Sequence, residues 1–352
     1  MALPVDTFDW PFFALKNDIP RMLRNWRGQL GTFALATLVS RTGSSPQPVG
    51  CQMLIGTDGH LAGYVSGGCV ESNLAFLAQD IIKARKGRFL AFGADSPYID
   101  VQLPCGTRIE LAVDAFDEDE PAIAGLIDAA EARVPALLAG NIETGHRLLV
   151  APEESADKAR GDAAELLRSI LGNGSIAELA EAGQIGQSYW KRYVPTPRLV
   201  INGGDPVAVA LALMAQVAGF EVIINRSHGP TMGIDHPEIG YKRLEPKALF
   251  EDLPIDPWTA VVTTSHDIPT DHGVLVEALP SNAFYVGVLG SRNHLTERLA
   301  RLKDAGLKED AIKRLHAPIG MNIGAQGPNE IAVSVIADLI ASWRHAAGSK
   351  AA

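Results

Sequence analysis

The chain of 352 residues has few cysteines, and they are spaced too far apart to form a cluster. Cys51, Cys69 and Cys105 include no C-x-x-C pair, so neither a disulfide framework nor a zinc cluster is expected. Reduced thiols are typical of cytoplasmic proteins. The first ten residues lack a basic region followed by an apolar stretch, so no signal peptide is expected.

The chain also lacks an excess of positive charge and a long apolar run. Its 31 Lys and Arg against 41 Asp and Glu give a net charge of −10, whereas nucleic-acid binders present basic surfaces. The most apolar uncharged run, 206–220, is too short to span a bilayer. We therefore expect neither a nucleic-acid partner nor a membrane. With 47% hydrophobic residues, the chain has enough apolar side chains for sizeable cores.

The length predicts two domains, and the segment Val194-Pro195-Thr196-Pro197 is the clearest linker. We therefore predict an N-terminal domain, 1–196, and a C-terminal domain, 197–352. The first places strands around one helix, which favours an α+β arrangement. In the second, strands alternate with helices, which predicts a Rossmann-like, doubly wound parallel sheet within an α/β protein. Within 117–190 we predict a helix at 122–132, paired strands at 135–139 and 147–151, and a short helix or a disordered surface segment at 175–182.

The segment Ser66-Gly67-Gly68-Cys69 comes directly before a helical pattern of apolar residues at 70–86, which Gly87 would end. Cys69 would then lie at a helix N-terminus, which favours anions and makes a thiol more acidic. The two glycines leave the backbone beside the sulfur open. A buried structural cysteine in a tight strand-to-helix turn would explain the same residues equally well.

Several short motifs lie along the chain. They are Gly43-Ser44-Ser45-Pro46, Gly67-Gly68-Cys69-Val70-Glu71, Pro104-Cys105-Gly106, Thr264-Ser265-His266-Asp267 with Asp271, Val288-Leu289-Gly290-Ser291-Arg292, Pro318-Ile319-Gly320-Met321-Asn322-Ile323-Gly324 and Pro328-Asn329-Glu330-Ile331-Ala332-Val333-Ser334. In this order and rough spacing, they resemble the XdhC/CoxI family of xanthine dehydrogenase accessory factors. The resemblance covers about 30 to 341, with no matching motif in 117–190.

The resemblance implies a maturation factor that binds the molybdenum cofactor transiently, supports its sulfuration and delivers it to a molybdenum hydroxylase client. A cysteine desulfurase is an expected partner, and a homo-oligomer is expected. The resemblance also implies a functional role for Cys69 and Glu71. It implies the same for Cys105, unless that cysteine simply packs in its turn. Cys51 receives no role. The predicted cofactor-binding residues are Ser66, Gly67, Gly68, Cys69, Gly106, Gly203, Gly204, Gly290, Ser291 and Arg292.

The sequence departs from a dinucleotide fingerprint after the first strand of the second domain. Asp205 follows Gly203-Gly204 at the place of the glycine that lets backbone approach a pyrophosphate. Asn225-Arg226 follows the next strand, where an acidic residue would hold a ribose. We therefore expect impaired NAD(P) binding. An NAD(P)-dependent oxidoreductase and a sulfurtransferase acting through a Cys69 persulfide are the alternative functions. The spacing of His266 and His272 favours a strand-end loop with a helix cap over a metal site.

Overall fold

The computed structural model describes residues 6–43, 47–97, 103, 107–151, 161–172, 174–265, 268–290 and 294–348. The chain divides into two compact units, 1–195 and 196–352. No sheet of the described residues crosses this division. Within the same ranges, no helix combines the length and the apolar character needed to cross a bilayer.

The first unit contains two sheets and five α-helices among its described residues. The helices are α1 (Asp6–Asp9), α2 (Ile19–Asn25), α3 (Glu71–Ala84), α4 (Pro121–Glu131) and α5 (Asp162–Leu171). The strands are β1 (Thr32–Thr42), β2 (Gln52–Ile55), β3 (Leu61–Gly63), β4 (Arg88–Gly93), β5 (Arg108–Asp117), β6 (Ala136–Asn141), β7 (Arg147–Val150), β8 (Ala182–Ile185) and β9 (Ser188–Tyr193). Short 3₁₀ helices lie at Phe12–Leu15 and Ile176–Glu178.

The larger sheet of this unit, in the order β3-β2-β1-β5-β4, is antiparallel and covered on both faces. Alternate residues of β1 enter two different cores, because successive side chains of a strand point to opposite faces. Ala34, Ala36 and Leu38 pack with α3, whereas Phe33 and Leu35 pack with α2 and α4. This double burial explains why β1 is a nearly continuous apolar run.

The smaller sheet, β7-β6-β9-β8, is also antiparallel and packs against α5. The pairing of β6 with β7 confirms the two strands predicted at 135–139 and 147–151. Helix α5 and strands β8 and β9 were not predicted. The segment 175–182 contains a short 3₁₀ helix, Ile176–Glu178, and leads into β8.

The second unit is a six-stranded parallel sheet in the order β12-β11-β10-β13-β14-β15. Its strands are β10 (Arg198–Asn202), β11 (Glu221–Asn225), β12 (Ile239–Lys242), β13 (Thr259–Thr263), β14 (Tyr285–Val288) and β15 (Leu315–His316). Its helices are α6 (Pro206–Val217), α7 (Pro246–Asp252), α8 (Ile268–Ala278), α9 (Leu295–Asp304), α10 (Glu309–Ile312) and α11 (Gly327–Gly348).

Helices cover both faces of this sheet. Helices α6 and α11 contribute to one core, and α8 and α9 contribute to the other. The strand order corresponds to 3-2-1-4-5-6 in chain order, which is the order of a Rossmann fold. The predicted fold class is therefore confirmed, although β12, α7, α10 and β15 were not predicted.

Helix α3 is shorter than the predicted 70–86. It begins at Glu71, and it ends where Arg85 takes a left-handed conformation with φ of 50°. Gly87 therefore does not end the helix. A Cβ atom at Gly87 would lie 2.6 Å from Oδ1 of the buried Asp114, so the glycine is needed for close packing.

Candidate functional site

The loop from β3 to α3 is built around the buried carboxylate of Glu71. Oε1 accepts hydrogen bonds from the backbone N–H groups of Val65 and Ser66, at 3.1 and 2.7 Å. Oε2 accepts from the Ser66 hydroxyl at 2.7 Å and from the Val70 N–H at 3.1 Å. Glu71 and Ser66 are each 1% exposed. Since one carboxylate joins both ends of the loop, it fixes the path of the backbone between them.

The middle of this loop, Gly67-Gly68-Cys69, is exposed. Gly68 has a φ of +103°, which L side chains rarely adopt, and a Cβ atom there would meet no other atom within 4 Å. The glycine is thus required by its backbone conformation and not by lack of space. The hydrogen bonds of Glu71 thus fix both ends of a loop that exposes the Cys69 thiol at the surface.

The first amide of the predicted anion site is already satisfied. The Val70 N–H donates to Glu71 Oε2 and is also within 3.2 Å of the Ser66 hydroxyl. Of the residues predicted to bind cofactor in this loop, Ser66 directs its side chain into the loop, and only Gly67, Gly68 and Cys69 face outward. Glu71, predicted as a functional group, directs both of its carboxylate oxygens into hydrogen bonds within the loop.

The loops that carry two other motifs leave the larger sheet at one common edge. Gly93, which ends β4, and Thr42, which ends β1, both pair with Arg108 at the start of β5. Strand β3 is antiparallel to β2, which is antiparallel to β1, so β3 runs in the same direction as β1. The loop that follows β3 and leads to α3 therefore leaves the sheet toward the same edge.

At this edge, a Cβ atom on Gly43 would lie 3.2 Å from the Cα atom of Thr107, so the first residue of one motif is close to the residue that follows another. The motif residues 44–46, together with Cys105 and Gly106, lie outside the described residues. Cys51, by contrast, is half-buried, and its Sγ lies 3.0 Å from Oε1 of Gln47.

In the second unit, the glycine turn after β10 is covered by side chains of the chain itself. Asp205 is the N-cap of α6, and its Oδ1 accepts from the Ala208 N–H at 2.7 Å. A side chain at Gly204 would collide with Arg226, and one at Gly203 would collide with the Thr264 hydroxyl. Asp205 therefore does more than replace a glycine, because its carboxylate takes the amide that a dinucleotide phosphate would use.

The position expected to hold a ribose is occupied by a buried amide pair. Asn225, at the end of β11, donates through Nδ2 to Oδ1 of Asn202 at 2.9 Å and to the Leu244 carbonyl at 3.0 Å. Its Oδ1 accepts from the Leu244 N–H at 3.0 Å. Both asparagines are almost fully buried. The amide of Asn225 thus bonds within the protein, which sequence reasoning did not anticipate.

Gly290, another predicted cofactor-binding residue, lines a small pocket at the carboxyl end of β14. Ser291 and Arg292 lie outside the described residues. The pocket is lined by Val288, Gly290, His294, Leu295, Arg298, Ala317 and Pro318. Arg298 is 6% exposed and pairs with the fully buried Asp271. Sequence reasoning missed Arg298, although its place in the second turn of a helix after Gly290 could have indicated it.

No group of three or more His, Cys, Asp or Glu side chains is placed to hold a metal ion in the described part of the chain. His272 lies on α8, and His266 and Asp267 are not among the described residues.

The chain is thus an α/β protein that combines a loop exposing a thiol with a Rossmann-type sheet. It belongs to the XdhC and CoxI family. Residues 26–93 match the XdhC and CoxI family model, and residues 199–339 match the model of the XdhC Rossmann domain. The first match contains the Glu71 loop, and the second contains the Asp205 turn and the Arg298 pocket.

Two relatives match along most of the chain. The Escherichia coli molybdenum cofactor insertion chaperone PaoD is 27% identical over 317 residues, 88% of this chain and 83% of the relative. A Bacillus subtilis protein, named as a probable xanthine dehydrogenase subunit, is 26% identical over 322 residues, 89% of this chain and 94% of the relative. A crystal structure from Bacillus halodurans, described as a xanthine dehydrogenase, has the same fold, with a TM-score of 0.67 and 24% identity over 92% and 95% of the two chains.

Proposed function

We propose that this protein is an accessory factor that binds the molybdenum cofactor and delivers it to a molybdenum hydroxylase of the xanthine dehydrogenase type. The observation that carries the proposal is the likeness to the insertion chaperone PaoD over 88% of the chain. The matched family segment 26–93 contains the loop that exposes Gly67, Gly68 and Cys69. The cofactor is the cargo of this protein, to be held and then released.

The exposed part of the loop suits such a cargo chemically. A thiolate is a soft ligand that matches molybdenum, and the bare backbone of two glycines leaves room beside it. We propose that Cys69 contacts the metal side of the cofactor. Glu71 would act as a positioning residue, since its carboxylate holds both ends of the loop and is 1% exposed. Cys105 and Gly106 belong to the same proposal, as residues of a motif whose flanking Thr107 lies at this edge.

Sulfuration of the bound cofactor is the finer part of the proposal. A cysteine desulfurase that docks beside the loop would be the partner for this sulfuration, and the exposure of Cys69 leaves that approach open. We propose that the protein works as a homo-oligomer in the cytoplasm.

The test is to purify the protein from molybdenum-replete cells and measure bound pterin by its fluorescence after oxidation. We expect pterin with the wild type, much less with Cys69→Ala, and an undiminished amount with Cys51→Ala, whose thiol is half-buried. The client enzyme, produced beside the Cys69→Ala protein, should fold but lack sulfurated, active cofactor. Absence of pterin from the wild type, or normal client activity beside Cys69→Ala, would contradict the proposal.

A further inference from the structure

A buried arginine at the carboxyl edge of the second sheet has hydrogen-bonding capacity that its protein partner does not use. Nη1 and Nη2 of Arg298 both lie 3.4 Å from the same oxygen, Oδ2 of Asp271. The other oxygen of Asp271 accepts from the Ser265 hydroxyl at 2.9 Å. A guanidinium has five N–H donors, and this long, shared contact engages few of them.

The pair of Arg147 and Asp114 in the first unit has a tighter contact, which allows a comparison. Arg147 donates to both carboxylate oxygens of Asp114, through Nε and Nη2, each over 2.8 Å. Two parallel N–H···O bonds of this kind are the strong form of an arginine–carboxylate pair. The side chains of Arg298 and Asp271 are also buried, but their contact is longer. Within the described part of the chain, the guanidinium is thus held in place while donors remain for another acceptor.

The remaining donors have a place to act, because Arg298 lines the pocket beside Gly290 and His294. A Cβ atom on Gly290 would lie 3.9 Å from Nη2 of Arg298, so this backbone is close to the guanidinium. The pocket also adjoins the start of α9, a helix of 10 residues whose N-cap, His294, makes no side-chain capping bond. In open α/β sheets, ligands bind outside the carboxyl ends of the strands.

We propose that this pocket binds a phosphate group of a small molecule, with Arg298 as its anchor. A phosphate oxygen would accept from the remaining N–H groups of Arg298 and from the first amides of α9. Asp271 positions the guanidinium and offsets its charge in the absence of ligand. The inference depends on the second unit alone and not on the molybdenum cofactor proposal. It places the phosphate away from the Asp205 turn, where a dinucleotide phosphate is expected in this fold.

The test is calorimetric titration of the full-length protein with pyrophosphate and with adenosine diphosphate at low ionic strength. The decisive variant is Arg298→Lys, which keeps the charge but loses the planar fork, and its matched control is Arg301→Lys on the exposed side of α9. We expect the wild type to bind. Affinity should fall by roughly tenfold or more in Arg298→Lys, because lysine does not replace arginine at a phosphate-binding fork. Arg301→Lys should bind like the wild type.

Comparable affinity for the two ligands would indicate that the phosphates alone are recognised, and tighter binding of adenosine diphosphate would add a nucleoside contact to the same site. If Arg298→Lys does not fold, amide hydrogen exchange of the wild type decides the question. Pyrophosphate should slow exchange at 295–298 relative to chloride of equal ionic strength. No binding by the wild type, equal binding by Arg298→Lys, or protection confined to the starts of α3 or α6 would overturn the proposal.

Discussion

The guanidinium of Arg147 donates to both carboxylate oxygens of Asp114, Nε to Oδ2 and Nη2 to Oδ1, each over 2.8 Å. Asp114 lies on β5 of the larger sheet, and Arg147 lies on β7 of the smaller one. The Tyr189 hydroxyl, on β9, donates to Oδ2 of the same carboxylate at 2.8 Å. One buried carboxylate therefore joins the two sheets of the first unit.

We predict that Arg147→Leu lowers the free energy of unfolding by about 3–5 kcal/mol, because it leaves Asp114 buried without its cation. The measurement is urea-induced unfolding followed by circular dichroism. The control is Arg85→Leu, since the pair of Arg85 with Asp117 is largely exposed and its loss should cost less than about 1 kcal/mol. Equal effects of the two variants would argue against a special role for the buried pair.

Two buried tyrosines, Tyr189 and Tyr285, and the half-buried Tyr193 predict loss of stability at alkaline pH. Burial, together with the neighbouring carboxylate of Asp114, raises the pKa of Tyr189 well above its usual value. Burial also raises the pKa of Tyr193, and burial and Asp338 raise that of Tyr285. A raised pKa in the folded state stabilises the fold below the unfolded pKa of about 10, and this stabilisation is lost as the pH rises above that value.

The tyrosinate absorbance of these side chains should consequently appear together with the loss of helical circular dichroism. In Tyr189→Phe, the tyrosinate absorbance that appears in this cooperative step should fall by the contribution of one phenol. Ionisation of all tyrosines before any unfolding would contradict the prediction.

Cys69 should be alkylated faster than Cys51 near neutral pH. Cys69 is exposed in the loop, whereas Cys51 is half-buried and contacts Gln47. Mass spectrometry of peptides after brief treatment with iodoacetamide measures the two rates, and it measures Cys105 in the same experiment. Faster reaction of Cys51 or Cys105 would mean that the reactive thiol has been assigned to the wrong loop.

Glu71→Gln should destabilise the protein and loosen the Cys69 loop. The carboxylate accepts four hydrogen bonds, and an amide would present a donor to groups that themselves donate. Hydrogen bonds to charged groups contribute about 1.5–3 kcal/mol each, so we expect a loss of at least that size in urea unfolding. Asp80→Asn makes the same charge change on the exposed side of α3 and should stay within about 0.5 kcal/mol. Unchanged stability and unchanged Cys69 alkylation in Glu71→Gln would refute the positioning role.

Much of the fold could be predicted because its signals are local. The parallel strands of the second unit are short apolar runs between turn residues, and the strands predicted at 135–139 and 147–151 pair as β6 and β7. The hairpin of β8 and β9 was missed because Lys191 and Arg192 interrupt its apolar pattern, although Lys191 is only 8% exposed. Its burial depends on Glu181, which accepts from Nζ at 2.5 Å, and a contact of that kind is not visible in a local pattern.

The candidate site likewise has features that are visible in the local sequence and features that depend on the folded structure. The glycines and Cys69 could be identified from sequence, because an exposed turn that needs a positive φ selects glycine. The direction of the Glu71 side chain could not be identified, since it depends on amides five and six residues earlier in the folded loop. Likewise, a glycine is needed at position 87 because of its close approach to Asp114, which lies 27 residues later in the chain.

The Asp205 turn gives the last prediction, in which stability and ligand binding change in opposite directions. The Asp205 carboxylate caps α6 through the Ala208 N–H, where a dinucleotide phosphate would otherwise bind. Two like charges about 4 Å apart repel by about 1 kcal/mol in water and by more at lower effective dielectric. Since about 1.4 kcal/mol is a factor of ten in affinity, the wild type should bind NAD and NADP weakly or not at all in calorimetry.

Asp205→Gly should gain affinity for NAD, because it removes the charge and frees the amide, while losing only a few tenths of a kcal/mol of stability. Asp205→Ala is the matched control: it also removes the charge, but it should lose more stability, about 0.5–2 kcal/mol, since alanine is a poor cap. Arg226 lies over Gly204 and would have to move for a ligand to enter, so Asp205→Gly/Arg226→Ala should bind better than Asp205→Gly alone. Tight NAD binding by the unmodified protein would refute this account and favour an NAD(P)-dependent oxidoreductase. If none of these variants binds, other side chains besides Asp205 and Arg226 close the turn to dinucleotides.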